Sequence, residues 1–202
     1  KIKIRLIDCV GFMIPGAGGN LENGQERLVK TPWFDYEVPF TKAAEYGTRK
    51  VIRDHSTIGI VVTTDGSITG ITREEYVEAE ERVISELQSI NKPFIMVLNS
   101  TKPNAPETRA LRKELEEKYN VTVQILDVYN MGEGDIEDIF KSVLTEFPVR
   151  EINIDMPTWV ESLDPDHWLK KEFFKIIKGM CDSVDKIRDI KPAFYDAKQN
   201  EN

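Results

Sequence analysis

The sequence has little of what metal centres, disulfide frameworks and catalytic triads are made from. Two cysteines, Cys9 and Cys181, stand far apart among 202 residues, in no metal-ligand spacing, and read as reduced thiols of a cytoplasmic protein. The two histidines, His55 and His167, fall near a helix end and in the first turn of a long helix, where capping is the plain role. No basic excess exists: 27 Lys and Arg face 35 Asp and Glu, a net charge of −8, which argues against nucleic acid as a partner. The longest apolar runs, Ile58–Val62 and Phe94–Leu98, are far too short to span a bilayer. No signal peptide is read, no internal repeat is present, and the missing initiator Met gives the expectation of a piece cut from a longer chain.

What is present is a globular balance, 40% apolar and 31% charged, with enough length for one domain and the beginning of another. Ile2, Ile4, Leu6 and Ile7 alternate with Lys and Arg, which predicts a strand that becomes buried as it approaches Asp8. From Val10 to about Pro39 the periodicity is lost in a stretch carrying Gly16, Gly18, Gly19, Asn23 and Gly24. A connection of this length is expected of a switch or lid.

Alternating βα units follow. Helix is predicted over Thr41–Asp54, and strand over Ile58–Thr63, closed by the turn signal Asp65-Gly66. A second helix is predicted from a capping box, Thr72 and Glu75, to about Ile90, and a buried strand over Pro93–Leu98. Pro106 opens a third helix, Val121–Ile125 alternates as an edge strand, and Ile136, Ile139, Phe140, Val143, Leu144 and Phe147 form one helical stripe. The fold class is therefore α/β, a mostly parallel sheet with helices on both faces. After Pro148 the pattern changes to an extended stretch over Val149–Ile154 and a helix spaced by Leu169, Phe173, Ile176, Met180, Val184 and Ile187. The domains are read as 1–148 and, starting a second module, 149–202.

In parallel α/β sheets ligands bind beyond the carboxyl ends of the strands, and two polar residues end apolar strands there: Asp8 and Asn99. An Asp at such a strand end holds Mg²⁺ in P-loop NTPases, and Gly11 lets a backbone N–H approach a γ-phosphate with no side chain in the way. The plain alternative is a strand ending in a polar residue before a turn. The glycine-rich stretch that follows favours the phosphate reading, because a γ-phosphate sensor has to move. Asn99 with Ser100, Thr101 and Lys102 lies where GTPases read the base with Asn-Lys-x-Asp. Lys102 carries donors only and cannot replace the guanine-accepting Asp, so guanine should not be selected; the alternative is that Asn99 merely caps a strand end. Thr63–Gly66 is read as a turn, and the acidic run Glu74, Glu75, Glu78, Glu80 and Glu81 as a solvated helix face.

Long collinear runs carry a resemblance beyond these motifs. Leu6-Ile7-Asp8-Cys9-Val10-Gly11, Thr31-Pro32-Trp33, Gly47–Ile52, His55–Gly59, Thr63–Gly66, Glu78–Ile84, Lys92–Val97, Glu146–Val149 and His167-Trp168-Leu169 resemble the stage IV sporulation protein A family, thinning only near the C-terminus. The resemblance implies a P-loop, GTPase-like ATPase of the translation-factor class, with ATP and Mg²⁺ as its cofactors. Asp8 matches the family's Walker B aspartate, catalytic and holding Mg²⁺ through water. Gly11 and Asn99 would touch the nucleotide. Hydrolysis would drive self-polymerisation into a static spore coat basement layer on the outer forespore membrane, in the mother-cell cytoplasm. The partners implied are a second copy, a small amphipathic membrane-anchoring peptide and other coat proteins. The phosphate-binding loop and switch threonines are expected upstream of Lys1, the anchoring region beyond Asn202, and ATPase activity only in the complete protein. Two other readings of the residues compete: a structural scaffold with a vestigial nucleotide site, and a flavodoxin- or receiver-like binding module.

Overall fold

The computed structural model describes residues 3–199, which fall into two units divided between Val143 and Leu144. The first is built on a parallel sheet of three strands in the order β5 (Gly59–Thr64), β6 (Phe94–Asn99), β7 (Val123–Leu126). Met96, Leu98, Phe94 and Val61 turn one way from the pleat and form a single core. Ile84 and Leu87 of α2 (Arg73–Ser89) join it, as do Leu115 and Tyr119 of α3 (Pro106–Tyr119). Ile95, Met96 and Leu98 are fully buried, and each such side chain contributes about 1.5–3 kcal/mol of transfer free energy.

The local chemistry explains most element ends. Pro106 sits at the first helical position of α3, where its missing N–H costs nothing, and Asn120 ends that helix in the left-handed conformation at φ 49°. The capping box expected at Thr72 and Glu75 is not formed. Thr72 has the extended backbone of a cap, but the bond there runs from the Glu75 N–H to the Thr72 carbonyl rather than to its hydroxyl.

Three expectations need correction. Residues 3–10 form no strand, and Ile4, Leu6, Ile7 and Val10 stand exposed, so Asp8 does not end a central strand here. The reason is that alternation supplies a face but not a ladder: among the described residues this segment pairs with no strand. The second correction concerns coverage. While α2 and α3 pack on one face, Ile60 (39% exposed) and Val62 (63%) of β5 face solvent on the other. That other face is reached by α4 (Glu133–Thr145) over β7, where Gln124 Nε2 donates to the Asp138 carbonyl and to Ser142 Oγ. Third, the stretch to Pro39 is not one loop. It holds two hairpins, β1 (Leu21–Glu22) with β2 (Gln25–Glu26), and β3 (Leu28–Thr31) with β4 (Phe34–Pro39). Asn23 and Gly24, both at positive φ, make the tight turn of the first.

After β4 comes α1 (Phe40–Lys50), continued by a wider π-type turn over Val51–His55. Lys92 closes that turn from β6's approach, its ammonium donating to the carbonyls of Ile52 and Ser56. Phe12 is buried between the guanidinium groups of Arg49 and Arg82, which ties the start of the hairpin segment to α1 and α2.

In the second unit, α5 (Thr158–Glu161), α6 (Trp168–Asp182) and α7 (Ile190–Gln199) follow a stretch in which Val149–Ile154 forms no strand. Among its described residues the one β-bridge joins Pro148 to Lys186. Glu146 is fully buried and accepts from Lys186 Nζ at 2.7 Å and Arg188 at 2.9 Å. His167 caps α6 through Nδ1, which accepts from the Leu169 N–H at 3.2 Å. Among the described residues, no helix is long and apolar enough to cross a membrane.

Candidate functional site

The carboxyl ends of β5 and β6 gather a set of short polar side chains because both strands stop where their apolar runs stop. At β5 the chain turns through Thr64, Asp65 and Gly66. Gly66 has φ +87°, and a Cβ there would stand 3.0 Å from the Arg73 backbone nitrogen, so only glycine makes this turn without strain. Asp65 Oδ1 accepts from the N–H of Ser67 at 3.0 Å and from its hydroxyl at 2.5 Å. Ser67 Oγ in turn accepts from the Thr101 N–H, which pins the loop after β5 to the loop after β6. Partial burial works against the Asp65 charge, but hydrogen bonds from Ser100 and Ser67 outweigh it and hold the carboxyl below the usual carboxylate range.

Asn99 ends β6, and its Oδ1 accepts from the Val128 N–H at 3.1 Å. It therefore clamps the turn that follows β7, a role the sequence does not announce. Ser100 is completely buried, with its hydroxyl accepting from the Lys102 N–H. Lys102 stands beyond it on the exposed loop.

Asp8 and Gly11 lie on the segment before the hairpins. Asp8 is exposed, and its Oδ1 accepts from the Cys9 N–H at 2.9 Å. Gly11 has φ +85° with open space where a Cβ would project, and its N–H donates to Thr48 Oγ1 of α1 at 3.0 Å. Gly11 is thus brought to α1 and Asn99 to the turn after β7, while Asp8 stays exposed on the segment that leads to Gly11. Among the described residues no group of three or more His, Cys, Asp or Glu is placed to hold a metal. A lone exposed carboxylate is a poor zinc site, yet it suits Mg²⁺, which keeps most of its waters and takes the rest of its shell from phosphates.

One buried cluster escapes a reading of the sequence. Glu80 is 5% exposed, which corrects the solvated reading of the α2 acidic run at that residue. Thr63 of β5 donates to its Oε2 at 2.6 Å, Arg73 to its Oε1 at 2.8 Å, and the Tyr119 hydroxyl to Oε1 at 3.0 Å. Burial first, and then the neighbouring Glu80 carboxylate, push the Tyr119 hydroxyl up to about 12 against the opposing pull of Lys118. A signal existed: Glu80 shares the helical stripe of Ile84 and Leu87, at i+4 and i+7.

With the geometry in place, comparison with known proteins gives a direct answer. The family model described as "Stage IV sporulation protein A, ATPase domain" matches residues 1–148, and "Stage IV sporulation protein A, middle domain" matches residues 149–202. The chain belongs to the stage IV sporulation protein A family. Its curated relatives of that name include one from Clostridioides difficile (strain 630), 53% identical over 190 residues, 94% of this chain and 39% of the relative. The Bacillus subtilis (strain 168) relative is 47% identical over 189 residues, 94% of this chain and 38% of its own length. The Bacillus anthracis relative is 42% identical over 201 residues, covering this chain throughout and 41% of its own length. The chain thus spans about two fifths of the relatives it matches. No solved structure matches. This is a sporulation-family chain with an ATPase domain, in a mixed α/β fold with a three-stranded parallel sheet.

Proposed function

We propose that residues 1–148 are the later part of a P-loop, GTPase-like ATPase domain and residues 149–202 the start of its middle domain. In the full-length protein, ATP hydrolysis with Mg²⁺ drives self-assembly of a spore coat basement layer. The observation that carries this reading is the ATPase-domain match over 1–148, on a chain whose strands β5 and β6 deliver polar loops to one edge of a parallel sheet. Asp8 holds Mg²⁺ through water, Gly11 meets the γ-phosphate and Asn99 lies at the base. Residues outside this chain supply the phosphate-binding loop. The proposed setting is peripheral, at the outer forespore membrane in the mother-cell cytoplasm, with a small amphipathic anchoring peptide and other coat proteins as partners.

Lys102 supports adenine over guanine, since an ammonium offers guanine's N–H donors no acceptor. Competition binding to the full-length protein is expected to rank ATP tighter than GTP. Lys102→Asp alone is not expected to create a strong GTPase, because buried Ser100 offers no surface for ring stacking. Tighter GTP binding by wild type would overturn the base preference. Complete lack of ATP hydrolysis would leave the other reading, a scaffold with a vestigial nucleotide site.

Coupling to assembly is assigned to the β3–β4 hairpin. The Gly11 amide is bonded to Thr48, and the neighbouring Gly47 is where the Trp33 ring packs, with a Cβ there only 3.1 Å from its Cη2. Phe34 lies edge-on to Tyr46 of the same helix at 5.1 Å. The double variant Trp33→Ala with Phe34→Ala is expected to hydrolyse ATP at near the wild-type rate per molecule and to lose ATP-dependent sedimentation. Normal pelleting by that variant would move assembly to another surface.

A further inference from the structure

Tyr129 is the most exposed large apolar side chain described, at 95%, and it stands at the ligand-binding end of a parallel sheet. Its backbone is nevertheless held on both sides. The turn Val128–Asn130 is closed by the Asn130 N–H donating to the Asp127 carbonyl at 3.1 Å and by Asn130 Nδ2 donating to Asp127 Oδ2 at 2.7 Å. The Val128 N–H donates to Asn99 Oδ1, so the residue at the end of β6 fixes where the ring begins. Asn99 and Leu126 are register partners, which puts this turn beside the Asn99–Lys102 loop. That loop offers polar groups only: Ser100 is fully buried, and Lys102 is the exposed cation.

A base-binding crevice needs groups that meet the edge of the base and a flat surface that covers its face. In the Asn99–Lys102 loop, Thr101 and Lys102 are exposed and can meet an edge, and no residue of the loop has a flat side chain to cover a face. We propose that Tyr129 is the platform on which the base of the bound nucleotide stacks. This rests on the ATPase reading and deepens it by naming the residue that grips the base. A phenol ring on a pinned turn loses little freedom when a base settles on it. Because every base has a π-face, the platform sets affinity and leaves base identity to the edge contacts. An ordinary surface tyrosine would share the exposure, but its removal would leave nucleotide binding unchanged.

The test uses the full-length protein with Mg²⁺, comparing wild type with Tyr129→Ala and Tyr129→Phe for binding of a non-hydrolysable ATP analogue and of inorganic tripolyphosphate. Tyr129→Ala is expected to weaken the ATP analogue by about five- to hundredfold, the range for loss of one base–aromatic stack, and to weaken the GTP analogue by the same factor. KM for ATP should rise with kcat retained. Tyr129→Phe should bind as wild type does, since stacking does not use the hydroxyl, and tripolyphosphate affinity should be the same in all three proteins. Wild-type ATP affinity in Tyr129→Ala, with hydrolysis intact, overturns the platform alone and leaves the ATPase reading standing. A parallel loss of tripolyphosphate binding also overturns it, because the effect would then be general damage to the site. Failure of the wild type to bind any nucleotide removes the ATPase reading and the platform with it.

Discussion

Replacing Asp8 by alanine in the full-length protein is expected to lower steady-state ATP hydrolysis by about 100-fold or more, while nucleotide binding is only partly weakened. The asymmetry follows from what a metal-holding carboxylate does. A Mg²⁺ ion held by Asp8 would supply positive charge to the phosphates, and such stabilisation counts most in the transition state, by about 3 kcal/mol or more. Ground-state binding keeps its other contacts. Asp8 is exposed with one carboxylate oxygen accepting from the Cys9 N–H, so removing it disturbs little packing and the protein should still fold. Phosphate release is the measurement that checks it, with circular dichroism as the control for folding. Release near the wild-type rate would withdraw Asp8 from the chemistry.

The largest effect on stability is expected at Glu80. Glu80→Ala strips three donors at once, the hydroxyls of Thr63 and Tyr119 and the guanidinium of Arg73, inside the interface of α2, β5 and α3. Loss of one partner from a buried pair typically costs about 3 kcal/mol or more, readable as a lower midpoint in urea. Arg73 is 16% exposed and can turn toward water, so the cost should fall at the lower end of that range. Ultraviolet titration gives an independent readout. Without the carboxylate, the Tyr119 hydroxyl should ionise below its present value of about 12. The sign of the pH effect follows. Because the folded value lies above the ordinary tyrosine value of about 10, Tyr119 contributes stability that is complete below that pH. That contribution is lost as pH rises from about 10 to 12, and in Glu80→Ala the loss should be smaller. An unchanged urea midpoint would show that the cluster is dispensable.

The parallel sheet was legible because β5 and β6 are short apolar runs, the first closed by Asp65-Gly66 and the second ending at Asn99, while β7 showed as an alternating edge strand. Pro106 likewise marked the start of α3. Failures came where structure depends on partners distant in sequence. Ile4, Leu6 and Ile7 have the alternation of a strand, but a strand exists only when another backbone completes its hydrogen bonds. The hairpins between Leu21 and Pro39 were hidden because their residues are largely exposed and so carry no apolar period, although Asn23-Gly24 is a strong hairpin turn. Glu80 was obscured by the acidic residues around it, since a charge run averages over faces of a helix that have different neighbours. Asp8, Gly11 and Asn99 could be named from sequence as candidates only. The bonds from Gly11 to Thr48 and from Val128 to Asn99 span 37 and 29 residues and could not. Family membership came from long matched runs rather than from any of these contacts.

The uncovered side of β5 bears on how assembly is to be measured. Among the described residues no strand pairs with the outer edge of β5, and with Ile60 and Val62 bare on its face that edge is a template for another copy of itself. Concentrated preparations of residues 1–202 alone would then stack through that edge into sediment of the cross-β kind, with no nucleotide needed and no resemblance to an ordered coat. Turbidity or pelleting by such a piece reports colloidal failure. Dependence on ATP, and dissolution of the background sediment by a charge placed at Val62, separate the two.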